Sequence, residues 1–254
     1  MIALIPARGG SQRLPRKNIR LLAGHPLLAY TISAARDAGC FDAIYVSTED
    51  AEIAEVARTY GAEVITRPMA LASGTSPDVE WVRHALTVLG NPPMVTWALL
   101  RPTSPFRTAA TIQRAYHAFR VPDGTHDSLR AIEPVTQHPG KMWTADLPLG
   151  YGPPIKPLLD RKRPDGTPWH SSPTQSLPVY YVQNACLEMG WGANLWTHGA
   201  IHGKKVAPFL TEGYEGVDLN NERDWRDAEY LIATGEAVLP PVALAPVSAD
   251  LWAV

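Results

Sequence analysis

Short apolar runs alternate with segments of helical period through the first half of the chain. Ile2 to Pro6, Ala43 to Ser47, Glu63 to Thr66 and Val95 to Leu100 read as strands, while Pro26 to Ala38, Ala51 to Tyr60, Asp78 to Leu89 and Thr108 to Phe119 read as helices. The inner strands are apolar at successive positions, so both of their faces are expected to be covered. In the third helical segment Val79, Val82, Ala85 and Leu86 share one face behind a Ser-Pro start, which places its beginning. The expected fold class is α/β, a mostly parallel sheet with helices on both faces.

Beyond Gln137 the pattern dissolves. Residues 137–178 are rich in proline and glycine and hold neither period for long. A structureless loop of that length is improbable inside a compact domain, so this inserted arm is expected to pack against something, such as a second subunit. Val179 to Trp191 then reads as a strand, Asp224 to Ala233 as a closing helix, and 239–254 as a loosely held tail. The expected organisation is a main domain of residues 1–136 and 179–238, with the arm and the tail appended.

Composition narrows the function. Charged residues make up 19% of the chain and the formal net charge is −2, so no global positive field would hold it on nucleic acid. Cys40 and Cys186 lie far apart, without CxxC or His/Cys spacing, and read as buried thiols rather than zinc ligands. The opening MIALIPARGG is too short and lacks the basic start of a secretion signal, and no later run is long enough to span a membrane. A cytoplasmic protein is expected.

The segment Pro6 to Asn18, PARGGSQRLPRKN, directly follows the first strand. In an open α/β sheet ligands sit beyond the carboxyl ends of strands, so this loop is where a phosphate would bind. Gly9 and Gly10 allow backbone amides close to an anion, Ser11 adds a hydroxyl, and Arg8, Arg13, Arg16, Lys17 and Arg20 supply five cations. That density suits a triphosphate, whose departing pyrophosphate gains charge in the transition state. The plainer alternative is an exposed basic loop with a Gly-Gly turn. Neither GxxxxGK[ST] nor GxGxxG is present.

The run IPARGGSQRLPRKN closely resembles the N-terminal signature of the acylneuraminate cytidylyltransferases, the CMP-sialic acid synthetases and their relatives. The likeness continues through Val46 to Asp50, Thr66 to Ala72, Leu100 to Arg107 and Gly216 to Asn220. It implies a Rossmann-like fold and transfer of CMP from CTP to a small acidic sugar, a sialic acid-like nonulosonate or relative, with release of pyrophosphate. By this resemblance Arg8 and Lys17 are the catalytic cations on the triphosphate. Ala7, Gly9, Gly10, Ser11, Arg13, Asn18 and Arg67 would form the nucleotide site, with Asp78 bearing on base or ribose. Mg²⁺ would be held where the family carries a DxD-like pair, here Asp218 and Asn220. These would share a face if the stretch is a strand, and an amide oxygen is an uncharged but legitimate ligand.

The acceptor side departs from the family pattern. Arg101 stands where glutamine is usual before Pro-Thr-Ser-Pro, and Val182-Gln183-Asn184-Ala185 replaces Arg-Pro-Asn-Gly. Arg101, Thr103, Gln183 and Asn184 are the acceptor-side candidates, with Arg101 expected as an additional cation for an anionic group. Gly74 replaces an acidic residue in Leu71 to Thr75. The arm falls where relatives place a dimerisation segment, so a homodimer is implied. Two other readings compete: a Mg²⁺-dependent glycosyltransferase of similar architecture, and a protein that binds nucleotide without turning it over.

Overall fold

The computed structural model describes residues 1–90, 94–120, 125–146 and 152–245. In chain order its strands are β1 (Ile2–Pro6), β2 (Leu21–Leu22), β3 (His25–Pro26), β4 (Ala43–Thr48), β5 (Glu63–Thr66), β6 (Thr96–Leu99), β7 (Ser128–Pro134), β8 (Trp143–Thr144), β9 (Lys156–Pro157), β10 (Tyr181–Trp191) and β11 (Val206–Leu210). The α-helices are α1 (Leu27–Asp37), α2 (Ala51–Thr59), α3 (Asp78–Val88), α4 (Ala109–Phe119), α5 (Gly192–Thr197) and α6 (Glu222–Ala233). Among the described residues, seven strands form one sheet in the order β11-β7-β10-β6-β1-β4-β5. β1 pairs in parallel with both β4 and β6, and β4 with β5, while β10 runs antiparallel to β6. The mostly parallel α/β expectation is met.

Side chains of β1 divide by parity. Ala3 and Ile5 enter the core beneath α1, α2 and α4, whereas Ile2 and Leu4 join Trp81, Val82, Trp97 and Leu195 on the opposite face. Two buried faces explain why these strands read as unbroken apolar runs. Local chemistry sets the helix starts: Asp50 caps α2 by accepting from the Glu52 and Ile53 amides, and capping boxes open α4 (Thr108 with Thr111) and α6 (Asn221 with Asp224).

Two strands escape the sequence pattern. β7 carries Arg130 and Glu133, which interrupt its apolar rhythm, and β11 contains Pro208. Proline removes a ladder donor and confines such a strand to a sheet edge, which is where β11 lies.

The chain divides into two compact units, Met1–Ile132 with Asn184–Val254, and Glu133–Gln183. The smaller unit has local order despite its composition: a β8–β9 ribbon, and a cluster in which the His138 ring stands 5.9 Å from Trp169 and 5.1 Å from Tyr180. His138 Nδ1 accepts from the Gly140 amide, so Nε2 carries the proton donated to Pro178 O. Of the expected tail, residues 246–254 lie outside the described residues.

Candidate active site

Because β1, β4, β5 and β6 run parallel, the loops that follow them gather at one edge of the sheet. A cavity of about 250 Å³ opens there. Its lining comes from the loop after β1 (Arg8, Ser11, Lys17, Asn18), from Arg67 after β5, from Ser73, Gly74, Ser76 and Asp78 leading into α3, and from Arg101 to Thr103 after β6. A neighbouring hollow of about 210 Å³ shares Arg8, Ser11, Lys17 and Gly74, and adds Arg13 and Asn220.

The loop is braced from within. Asn18 is buried and donates its amide to Arg8 O (2.9 Å). Arg16, in the left-handed region at φ 55°, pairs with Asp50 (2.6 Å) and with Glu52. Gly9 donates its amide to Glu49 Oε1 at 2.7 Å, and a Cβ at Gly9 would run into Asp50. Gly9 is therefore required for close packing, and its amide faces a carboxylate. Ala7 is buried and bonds Ser47 O, while Gly10 is exposed.

The five loop cations separate into two groups, which corrects the expectation that all five face an anion. Arg16 is taken by Asp50 and Glu52. Arg20 pairs with Glu222 at 2.6 Å and lies over the Trp225 ring. Both therefore brace the loop against α2 and α6. Arg8, Arg13 and Lys17 instead donate to uncharged oxygens: Ser73 O (2.7 Å), Asn220 Oδ1 (3.1 Å) and Leu219 O (2.8 Å). They make no ion pair among the described residues. Burial pushes the Lys17 ammonium below its usual range; Asp218 opposes this, and Arg13 and Arg8 add to it. Three cations crowded together outside any salt bridge among the described residues suit a polyanion.

Behind them Arg67 is buried. It donates to Ser47 Oγ (3.0 Å) and Ser47 O (2.9 Å), and lies 4.9 Å from the Trp81 ring centroid. Burial brings its guanidinium down to about 10, with Glu49 and Asp78 opposing, so it stays charged at neutral pH.

Arg101 and Thr103, the acceptor candidates, line the cavity, but Arg101 is not a spare cation. Its guanidinium donates to Asp78 (2.6 Å) and Glu188 (2.9 Å). Burial pushes the Asp78 carboxyl up, yet Arg101 and the Trp81 indole N–H outweigh it and hold the group below the usual carboxylate range. Gln183 is exposed and belongs to the smaller unit. Asn184 spends its amide on Thr211 Oγ1 (2.8 Å) and the Cys186 amide (3.2 Å). Asn184 does not line the cavity.

The stretch holding Asp218 and Asn220 is not a strand but the irregular approach to α6, so a shared strand face does not apply. The two side chains meet directly: Asn220 Nδ2 donates to Asp218 Oδ2, and Asn220 Oδ1 accepts from Arg13. Asp218 Oδ1 is buried without a hydrogen-bond partner. Among the described residues no group of three His, Cys, Asp or Glu side chains is arranged to hold a metal. Sequence reading missed Glu49 and Glu188, whose partners Gly9 and Arg101 lie far along the chain.

A parallel-sheet edge bearing three cations outside any salt bridge, beside a cavity, suits a polyanionic ligand, and with the relatives that follow, the class is that of a nucleotidyltransferase. Comparison with known proteins gives the family. Residues 2–115 match the family described as cytidylyltransferase. The CMP-N,N'-diacetyllegionaminic acid synthase of Legionella pneumophila is 32% identical over 249 residues, which covers 94% of this chain and 99% of that protein. The N-acylneuraminate cytidylyltransferase of Escherichia coli is 39% identical over 120 residues, 47% of this chain and 28% of that protein. A solved CMP:2-keto-3-deoxy-manno-octonic acid synthetase, complexed with CTP, superposes with a TM-score of 0.64 at 12% identity over 92% of this chain and 98% of that one, a likeness of fold. The chain belongs to the acylneuraminate cytidylyltransferase family.

Proposed function

We propose that this protein transfers CMP from CTP to a nonulosonic acid, releasing pyrophosphate. The observation that carries the reading is the convergence of Arg8, Arg13 and Lys17, free of carboxylate partners, at the carboxyl end of β1. The full-length relative, a synthase of a CMP-linked acidic sugar, supports the same substrate class. In the reaction the acceptor hydroxyl oxygen forms a bond to the α-phosphorus and releases its proton to solvent. The bond from that phosphorus to the bridging oxygen breaks, and the electron pair leaves with pyrophosphate. Arg8, Arg13 and Lys17 neutralise the charge that accumulates on the leaving group. Ser11 and Asn18 shape the wall on which the nucleotide lies.

The Asp218 carboxylate fits one protein ligand of a Mg²⁺ ion, because its buried Oδ1 is unpartnered. Asn220 fits less well, since its amide oxygen already accepts from Arg13. Mg²⁺ commonly takes one carboxylate together with phosphate oxygens and water, and when bound it would supply further positive charge against the triphosphate.

No helix among the described residues is long and apolar enough to cross a membrane. The need for CTP supports a cytoplasmic site for the reaction. A homodimer through the smaller unit is supported by its exposed Met142, Trp143, Ile155 and Leu158.

The experiment is pyrophosphate release with CTP, GTP, UTP and ATP in turn against nonulosonic, Kdo-type and phosphonate acceptors. Release that requires CTP and one nonulosonic acid together is expected. Release from CTP alone, or with every acid equally, would refute the reading.

A further inference from the structure

Four alternating charges cross the sheet beside the cavity. Asp78 opens α3, Arg101 emerges after β6, Glu188 lies on β10 and Arg130 on β7. Glu188 pairs with Leu99 in the β10–β6 register, so it stands next to the strand end from which Arg101 leaves. It holds both guanidiniums: Oε1 accepts from Arg101 at 2.9 Å and Oε2 accepts from Arg130. Arg101 reaches Asp78 with its other arm at 2.6 Å. The Glu188 side chain is 9% exposed, against 22% for Arg101 and 37% for Asp78. The innermost member is thus the carboxylate that links the others.

Two acids and two guanidiniums cancel, so this wall offers no net charge to an acidic substrate. What it offers is direction. A guanidinium fixed at two of its nitrogens cannot rotate freely, so its remaining N–H groups are held in set directions. Buried ion pairs contribute little net stability, because desolvation offsets the attraction, so their use here is better explained by geometry.

We propose that Glu188 is a positioning residue for the acceptor: it fixes Arg101 as a rigid hydrogen-bond donor on the acceptor side of the cavity, and selectivity there comes from donor geometry rather than from net charge. This rests on the transferase reading given above. Glu188 itself does not line the cavity; it acts through Arg101, which does.

The test is steady-state kinetics of E188Q, R101Q and the double variant, with CTP and the preferred nonulosonic acid, after circular dichroism confirms folding. E188Q and R101Q are each expected to raise the acceptor KM by at least about tenfold and leave the CTP KM within about twofold. The double variant should be no worse than R101Q, because both changes remove one device. E188D, which keeps the charge one methylene further back, should lie between wild type and E188Q. If E188Q does not fold, E188D carries the test, with an acceptor KM raised by at least about threefold. An unchanged acceptor KM, a parallel rise in both KM values, or additive effects in the double variant would overturn the proposal while leaving the transferase reading intact. Absence of pyrophosphate release by the wild type with every nucleotide and acid would overturn both.

Discussion

Replacing Lys17 with methionine removes a charge while nearly conserving the length of the side chain. The ammonium is fixed by its bond to Leu219 O at 2.8 Å and is not offset by any ion pair among the described residues. Two unit charges about 4 Å apart at an effective dielectric constant of about 20 interact by about 4 kcal/mol. If about half a charge develops on the leaving group near Lys17, the lost stabilisation is about 2 kcal/mol, or about 30-fold in kcat. The CTP KM should rise less, because the ground-state triphosphate is also held by Arg8 and Arg13. The lost hydrogen bond to Leu219 should cost about 1 kcal/mol, offset by removal of a desolvated charge beside Arg13 and Arg8, so the melting temperature should move by less than about 4 °C. Leu14 and Leu219 keep their core with Trp225, so the fold should survive. The assay is continuous pyrophosphate release at saturating acceptor, with CTP varied. A folded Lys17→Met variant whose kcat stays within about threefold of wild type would remove this cation from the transition state.

Gly9→Ala would drive a Cβ into Asp50, so calorimetry should find a loss of about 1–3 kcal/mol by overpacking, together with weaker CTP binding; unchanged values would mean the loop relaxes freely. Asp218→Ala removes the unpartnered Oδ1 together with the Oδ2 that accepts from Asn220, so its stability effects oppose each other, while half-saturation by Mg²⁺ should increase at least about tenfold; a normal Mg²⁺ titration would place the metal elsewhere. Burial pushes the Cys186 thiol up to about 12 from its ordinary 9.0, so the folded protein binds more protons than the unfolded chain between these values and stability should fall as pH rises through them. Mass spectrometry after alkylation at pH 8 should accordingly find Cys186 unmodified in the native protein and modified in denaturant, and rapid native labelling would contradict its burial.

The sequence makes the first half of the fold legible because β1, β4, β5 and β6 are buried on both faces and the helices between them keep a 3.6-residue period. It hides β7 and β11, where Arg130, Glu133 and Pro208 break the pattern for reasons that only the sheet order supplies. The phosphate side of the cavity is legible from the position of residues 6–18 after β1, but the number of available cations is not. Arg16 and Arg20 find carboxylates on α2 and α6, partners a local count cannot see. Arg101 reads in sequence as an added charge and in structure as the middle of a balanced row, since Glu188 lies 87 residues away and meets it only through the antiparallel β10–β6 pairing. Asp218 and Asn220 were expected to face a metal as strand neighbours. They are close instead because the turn into α6 lets one side chain bond the other.

The central claim is that the cavity joins CMP to an acidic sugar. Mass spectrometry of the product formed from CTP and a panel of nonulosonic acids tests it most directly. The expected result is a single new species whose mass is that of CMP plus one acid less one water, formed in step with pyrophosphate. A product that lacks the nucleotide, or a sugar transferred from an already activated donor with no pyrophosphate released, would contradict it.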